Sequence, residues 1–502
     1  MASFYVQNFG CRATQADGAA IERQFRECGL NRASAPAQAE IVVLNTCTVT
    51  AAADQDARAA IRRIHRQNPG CQIVVTGCYA QRAPDEIALM PGVTQVIGNS
   101  HKHQLAEIAV SPAIALSSEI AESGDITRAW EGHGFSRAVS REKAPALAAG
   151  VPNFVPLANL ASHDRSPIFV SDIFAHTELL AAPVFDAANE RTRPNLKVQD
   201  GCDNRCSFCV IPYVRGRSRS LPLSQVLQEV NALVNASYRE VVISGINLGR
   251  WGRDLAQKVR GGRPPRFEDL IRAILEQTTL EKLRISSVEP MDWSNELIGL
   301  VAESSRIAKH AHVPMQSGSD AVLRRMHRKY RPWHYREKIE KIHSAMPSAA
   351  IGADVMVGFP GETHAEFDET VRMIESLPLT YLHVFTYSPR PRTPAAARDQ
   401  VPVHAARDRN RILRDVAAEK KLEFMRSFIG KTVEAITLHT SKDVLSSEVG
   451  GRCLSDYTES LTDNYLKLRL EGCHAVNQWI GARVESMENG MLVGIPSDGV
   501  HV

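Results

Sequence analysis

The chain has 502 residues, 44% of them apolar, enough to bury cores for about three domains. Its formal charge of +3 excludes a global basic field, so any nucleic-acid partner must be met by local patches. The opening MASFYVQNFGC is not a signal peptide and no apolar run approaches the ~20 residues that span a bilayer. The chain therefore reads as cytoplasmic, without a membrane partner, and its ten cysteines as metal ligands or catalytic groups instead of disulfides.

In residues 1–110, three apolar strand-like runs each end on a cysteine and lead into a helical pattern. They are FYVQNFGC, AEIVVLNTC and CQIVVTGC, ending at Cys11, Cys47 and Cys78. A doubly wound α/β sheet of flavodoxin type brings the carboxyl ends of neighbouring parallel strands to one crevice. Three thiols delivered there could ligate an iron–sulfur cluster; three unrelated buried cysteines are the plainer alternative. Cys28 and Cys71 lie off this pattern and read as structural. Residues 111–193 are rich in Ala, Pro and Ser without periodicity, which predicts an irregular insertion or linker.

Near the start of residues 194–428 stands DGCDNRCSFCVIPYVRGRSRS, in which Cys202, Cys206 and Cys209 form C-x3-C-x2-C. Structural zinc takes four ligands, and no fourth cysteine or histidine follows closely in sequence. The intervening Asp203, Asn204 and Arg205 are turn formers, unsuited to a core. Three thiolates at this spacing suit a 4Fe–4S cluster with one iron left open. Candidate strands LKVQD, EVVISGIN, KLRISSVEP, HAHVPMQSGS, IGADVMVGFPGE and YLHVFTYSPR then alternate with helical segments, as in a partial β/α barrel of TIM type. Barrel enzymes build their sites at the carboxyl ends of the strands. The small and polar residues there are the candidate cofactor contacts: Ser244, Gly245, Asn247, Glu289, Gln316, Ser317 and Asp354, together with Phe208 in the cysteine loop. Residues 429–496 turn to short strands with Asn489-Gly490 as a hairpin signal, which predicts a small β-barrel.

Over nearly its whole length the sequence resembles the methylthiotransferase family of radical S-adenosylmethionine (SAM) enzymes. The resemblance rests on NFGC, LNTCTV, TGCYAQ, the three-cysteine loop, HVPMQSGSD, DVMVGFPGET and YSPRPRTPA. It implies two 4Fe–4S clusters, one on Cys202, Cys206 and Cys209 that binds SAM, the other on Cys11, Cys47 and Cys78 that handles sulfur. It further implies a C-terminal TRAM barrel that binds RNA, a reductant such as a flavodoxin or ferredoxin, and an unidentified sulfur source. Thr14 and Asp17 stand where the family usually carries asparagine and glutamate. Of three substrate branches, KVQDGC, PYVRGRSRS, SGINLG, RRMHRKY and LHVFTYS look most like the one acting on threonylcarbamoyl-adenosine of tRNA, next to the anticodon. Isopentenyl-adenosine tRNA and a ribosomal-protein aspartate are the other two. Arg215, Arg217 and Arg219, just beyond the cysteine loop, would then face substrate phosphates. A cluster-bearing electron or sulfur carrier without SAM chemistry is the rival reading of another class, and a structural cap on the barrel is the rival role for the C-terminal strands.

Overall fold

The computed structural model describes residues 2–111, 165–176, 179, 192–258, 263–438 and 457–497. Most of the 111–193 insertion lies outside these.

The N-terminal sheet is parallel throughout. Its strands are β1 (Ser3–Asn8), β2 (Asn31–Arg32), β3 (Ile41–Thr46), β4 (Gln72–Gly77), β5 (Val93–Gly98) and β6 (Ile168–Phe169), in the order β2-β1-β3-β4-β5-β6. All six residues of β3 are buried, because helices cover both faces. Val42 and Leu44 pack with Ile61 and Ile64 of the helix Ala51–Gln67, while Val43 packs with Ile21 and Phe25 of the helix Arg12–Glu27. The strand order through β5 is the flavodoxin-like one. Within the insertion, expected to be partly irregular, Ile168 and Phe169 add an edge strand by pairing with Val96 and Ile97.

The central domain is an open barrel of β7 (Asn195–Asp200), β9 (Glu240–Gly245), β10 (Lys282–Ile285), β11 (His310–His312), β12 (Ala350–Val357) and β13 (Tyr381–Thr386). A short strand β8 (Arg219–Ser220) turns back antiparallel onto β7. Single bridges, Leu283 to Ile307 and Ser287 to His312, join the sheet β10-β9-β7-β8 to the sheet β11-β12-β13. Each strand anticipated from its apolar run is present; β8 was not legible because it is two polar residues.

The open side of the barrel, between β7 and β13, is covered by the N-terminal domain. Asn195 of β7 donates to the Arg12 carbonyl at 2.9 Å, and beyond β13 Arg390 pairs with Asp54 at 2.7 Å and Ser388 accepts from the Ala51 amide at 3.0 Å. The amino-terminal mouth is capped by the C-terminal domain, a closed barrel of β14 (Thr432–Thr437), β15 (Tyr457–Thr462), β16 (Lys467–Glu471), β17 (Trp479–Glu488) and β18 (Met491–Pro496). Its β15–β16 turn supplies Asp463, whose carbonyl accepts from Arg284 at 3.0 Å and whose carboxylate accepts from the Lys309 amide at 3.3 Å. Arg284 in turn is fully buried against Glu240.

Candidate active site between two cysteine sets

The loop after β7 is shaped before any ligand arrives. Gly201 has φ of +71°, and a Cβ there would lie 1.9 Å from the Arg217 carbonyl oxygen, so only glycine lets the chain pass. The Cys202 amide donates to Gly216 O at 3.1 Å, and Ser207 Oγ donates to Arg325 O at 2.7 Å. Gln199 organises the neighbourhood: its Nε2 donates to Gly201 O and Ser218 Oγ, and its Oε1 accepts from the Asn247 amide at 2.7 Å.

Cys202, Cys206 and Cys209 line a cavity of about 210 Å³ with Phe208, Asn247, Glu289, Gln316 and Asp354. Asn247 Nδ2 lies 3.6 Å from Cys202 Sγ. Arg328, which the sequence reading passed over within RRMHRKY, donates to Cys206 Sγ at 3.4 Å and pairs with Glu289. Nothing in its local sequence marks it, since only the fold returns it to the cysteine loop. Burial, then the neighbouring Cys206 sulfur, pushes the Cys209 thiol up to about 12, so loading a metal centre must displace its proton.

Three of the expected contacts stand outside this cavity. Ser317 is buried, accepting from the Ser319 amide and bonded to Thr370 Oγ1 at 3.1 Å, so it holds its own loop instead of a ligand. Ser244 is also buried, and Gly245 packs against Gln199. By contrast Asn247 Oδ1 and Gln316 Oε1 are buried without hydrogen-bond partners among the described residues. Orphaned acceptors beside the cysteines fit a ligand with amino and hydroxyl donors, as SAM has.

The second set forms where β1, β3 and β4 end side by side. Cys47 and Cys78 are buried and Cys11 is exposed. Gly10, at φ +102°, lets the chain pass so closely that a Cβ would sit 2.6 Å from Cys47 Cβ. Burial, then Cys78 and more weakly Cys11, pushes the Cys47 thiol up to about 12. Cys28 is exposed at a helix end and Cys71 is buried in the core, away from both sets. Cys78 packs against Val210 and Val214, within five residues after Cys209, so the two sets are tied through one short segment.

Between the sets lies a buried charge network. Asp17 pairs with Lys102 at 3.0 Å, Arg215 at 3.0 Å and Lys197; Asp200 accepts from Arg215 at 2.9 Å and Lys197 at 2.9 Å. Burial alone would raise the Asp17 carboxyl, but these cations together hold it well below the usual carboxylate range. Here the expectation for the arginines needs correction. Arg215 is 2% exposed and committed to Asp17 and Asp200. Arg219 is buried too, donating to the His176 carbonyl at 3.3 Å and lying 3.9 Å from Asp200. A cation with two buried carboxylates to neutralise is drawn inward. Arg217 alone of the three is exposed.

Residues 196–374 match the model of the Radical SAM superfamily, and residues 3–98 that of the Uncharacterized protein family UPF0004. The chain is 32% identical over 474 residues to the threonylcarbamoyladenosine tRNA methylthiotransferase of Bacillus subtilis, covering 94% of this chain and 91% of that protein. The counterpart from Rickettsia prowazekii is 30% identical, covering 97% and 96%. The chain belongs to the radical SAM methylthiotransferase family. This methylthiotransferase is also 29% identical to the tRNA-2-methylthio-N(6)-dimethylallyladenosine synthase of Novosphingobium aromaticivorans, covering 88% and 87%. In fold it is similar to the radical SAM methyltransferase TsrM from Kitasatospora setae, with a TM-score of 0.50 at 14% identity, covering 79% and 75%. The enzyme's cofactors are SAM and two 4Fe–4S clusters. Among the described residues no helix is long and apolar enough to cross a membrane.

Proposed function

We propose that this methylthiotransferase acts on tRNA, replacing the C2 hydrogen of N6-threonylcarbamoyladenosine next to the anticodon with a methylthio group. The observation that carries the reading is two three-cysteine sets on separate sheets, tied together by the packing of Cys78 on Val210 and Val214, in a chain 31–32% identical to two proteins named for that substrate. Cys202, Cys206 and Cys209 hold the SAM-binding cluster, with Asn247, Glu289 and Gln316 as contacts, and Cys11, Cys47 and Cys78 hold the second. When bound, the first cluster and SAM supply a hydrogen-abstracting 5′-deoxyadenosyl radical, and the second cluster supplies sulfur. The chain's own residues keep the two centres apart and aligned. Arg328 places a positive charge at Cys206, Gln199 fixes the loop, and the N-terminal domain covers the open side of the barrel, which limits water. Arg217 and the C-terminal barrel contact RNA phosphates. Electrons come from a small carrier such as a flavodoxin or ferredoxin.

Nucleoside mass spectrometry tests this. The purified enzyme with SAM and reductant is given tRNA carrying threonylcarbamoyladenosine, tRNA carrying isopentenyladenosine, or the ribosomal protein. Methylthiolation of the first is expected; modification of either other substrate with the first untouched would overturn the assignment.

A further inference from the structure

Three neighbouring barrel strands place three polar side chains together in the barrel. His312 comes from β11, Asp354 from β12 and His383 from β13, with Asp354 and His383 directly opposite in register. One ligand atom from each lies within 4.8 Å of the other two. His312 is 9% exposed, and its Nε2, although 3.4 Å from Asp354 Oδ1, makes no hydrogen bond. Partial desolvation by its neighbours, opposed by Asp354, holds His383 below the usual histidine range although its side chain stays accessible, so it is neutral and can both donate and accept.

Position gives this group its meaning. Asp354 lines the cavity of Cys202, Cys206 and Cys209. On the other side Arg12, next in sequence to Cys11, donates to Tyr465 at 3.2 Å, leaving further guanidinium donors; the Tyr465 ring lies 6.2 Å from that of Tyr381, which in turn lies 5.4 Å from His383. The polar group therefore lies between the two cysteine sets, where the carbon under attack must be. On adenine, C2 and the N6 substituent flank the same edge, separated by N1, so residues here meet that substituent.

We propose that His383, with His312, Asp354 and Arg12, reads the polar substituent on N6 of the substrate adenine and so sets the substrate branch. The inference rests on the proposed tRNA substrate. A threonylcarbamoyl group offers ureido N–H, carbonyl, hydroxyl and carboxylate partners, the last suited to Arg12. An isopentenyl group offers none and would bury the imidazoles and carboxylate unpaired, a mismatch that sites of this kind reject by up to ~10⁴-fold.

The test compares kcat/KM of wild type, His383→Leu and His383→Gln on tRNA carrying threonylcarbamoyladenosine and on tRNA carrying isopentenyladenosine. Iron per chain and melting temperature report whether each variant is folded and loaded. The wild type should favour the first tRNA, His383→Leu should shrink that preference by roughly 10²-fold, one interaction's share of the discrimination, and His383→Gln should restore part of it. If the wild type favours isopentenyladenosine, the proposed function itself is wrong. If the wild type favours threonylcarbamoyladenosine but loaded His383→Leu keeps the same ratio, or loses both activities equally, only the recognition role falls. A stoichiometric divalent ion beyond the cluster iron, lost in His383→Leu, would make the group a metal site and overturn the proposal.

Discussion

The two cysteine sets are brought together by opposite routes. Cys202, Cys206 and Cys209 ride on one loop, so their spacing is set locally, while Gly201, Gln199 and Ser207 pin its path, Ser207 to Arg325. Cys11, Cys47 and Cys78 come from three strand ends, and only the pairing of β1, β3 and β4 gathers them. A site built by a loop survives on its own anchors, whereas a site built by a sheet depends on the whole domain. The two should fail separately, and their separate failures can be measured.

Replacing Cys202, Cys206 and Cys209 together with alanine should abolish 5′-deoxyadenosine formation and lower iron by about half. The same change at Cys11, Cys47 and Cys78 should lower iron similarly and stop methylthiolation, with deoxyadenosine still formed. Iron unchanged in the second mutant would mean that the strand-end thiols hold no cluster.

The next contrast needs one methyl group at each site. Gly10→Ala drives a Cβ to 2.6 Å from Cys47 Cβ, and Gly201→Ala drives one to 1.9 Å from the Arg217 carbonyl. Both backbones also sit at positive φ, where alanine is strained. Gly10→Ala should cost the N-terminal cluster alone, read as halved iron with deoxyadenosine formation intact. Gly201→Ala should cost deoxyadenosine formation. Equal loss of both functions in either variant would show that the sites are not built independently.

How much of this was legible in the sequence follows from the same difference. The barrel loop could be singled out from spacing because its cysteines are seven residues apart at most. The second set was readable only because each cysteine closes an apolar strand, so a pattern in topology stood in for a pattern in spacing. Arg328 and His383 lie in RRMHRKY and LHVFTYS, segments that resemble the threonylcarbamoyl branch, but nothing local singles them out, because Cys206 and Asp354 are far from them in sequence. The arginines misled for a related reason: Asp17 and Asp200, 183 residues apart in sequence, draw Arg215 inward, and no local window contains both.

That network joins the two regions, and its loss should be thermodynamic before it is chemical. Asp17→Asn leaves Lys102, Lys197 and Arg215 short of one buried countercharge, at a cost of about 3–5 kcal/mol. Because the folded-state carboxyls of Asp17 and Asp200 lie below their unfolded values, the stabilisation is fully present above about pH 5. It is lost as pH falls below ~4. Thermal melts of wild type and Asp17→Asn should differ by a constant amount at neutral pH and converge in acid. A gap that stayed constant down to pH 3 would show that Asp17 is not held as a buried anion.

The smallest effect separates two arginines in one segment. Arg217 is exposed while Arg215 is buried in two ion pairs, so the same substitution should have different consequences. Each phosphate contact removed should lower the slope of log affinity against log salt by about 0.7–0.9. Arg217→Ala should therefore weaken tRNA binding a few-fold, flatten the salt dependence by nearly one unit and leave the melting temperature where it was. Arg215→Met should do the reverse, lowering the melting temperature by several degrees with the salt slope of the folded fraction unchanged. Filter binding at 50–300 mM salt and a melt of each variant distinguish the cases. A flattened slope for Arg215→Met would mean that the buried guanidinium leaves Asp17 and Asp200 when RNA arrives, and that the joint between the two cysteine sets opens on binding.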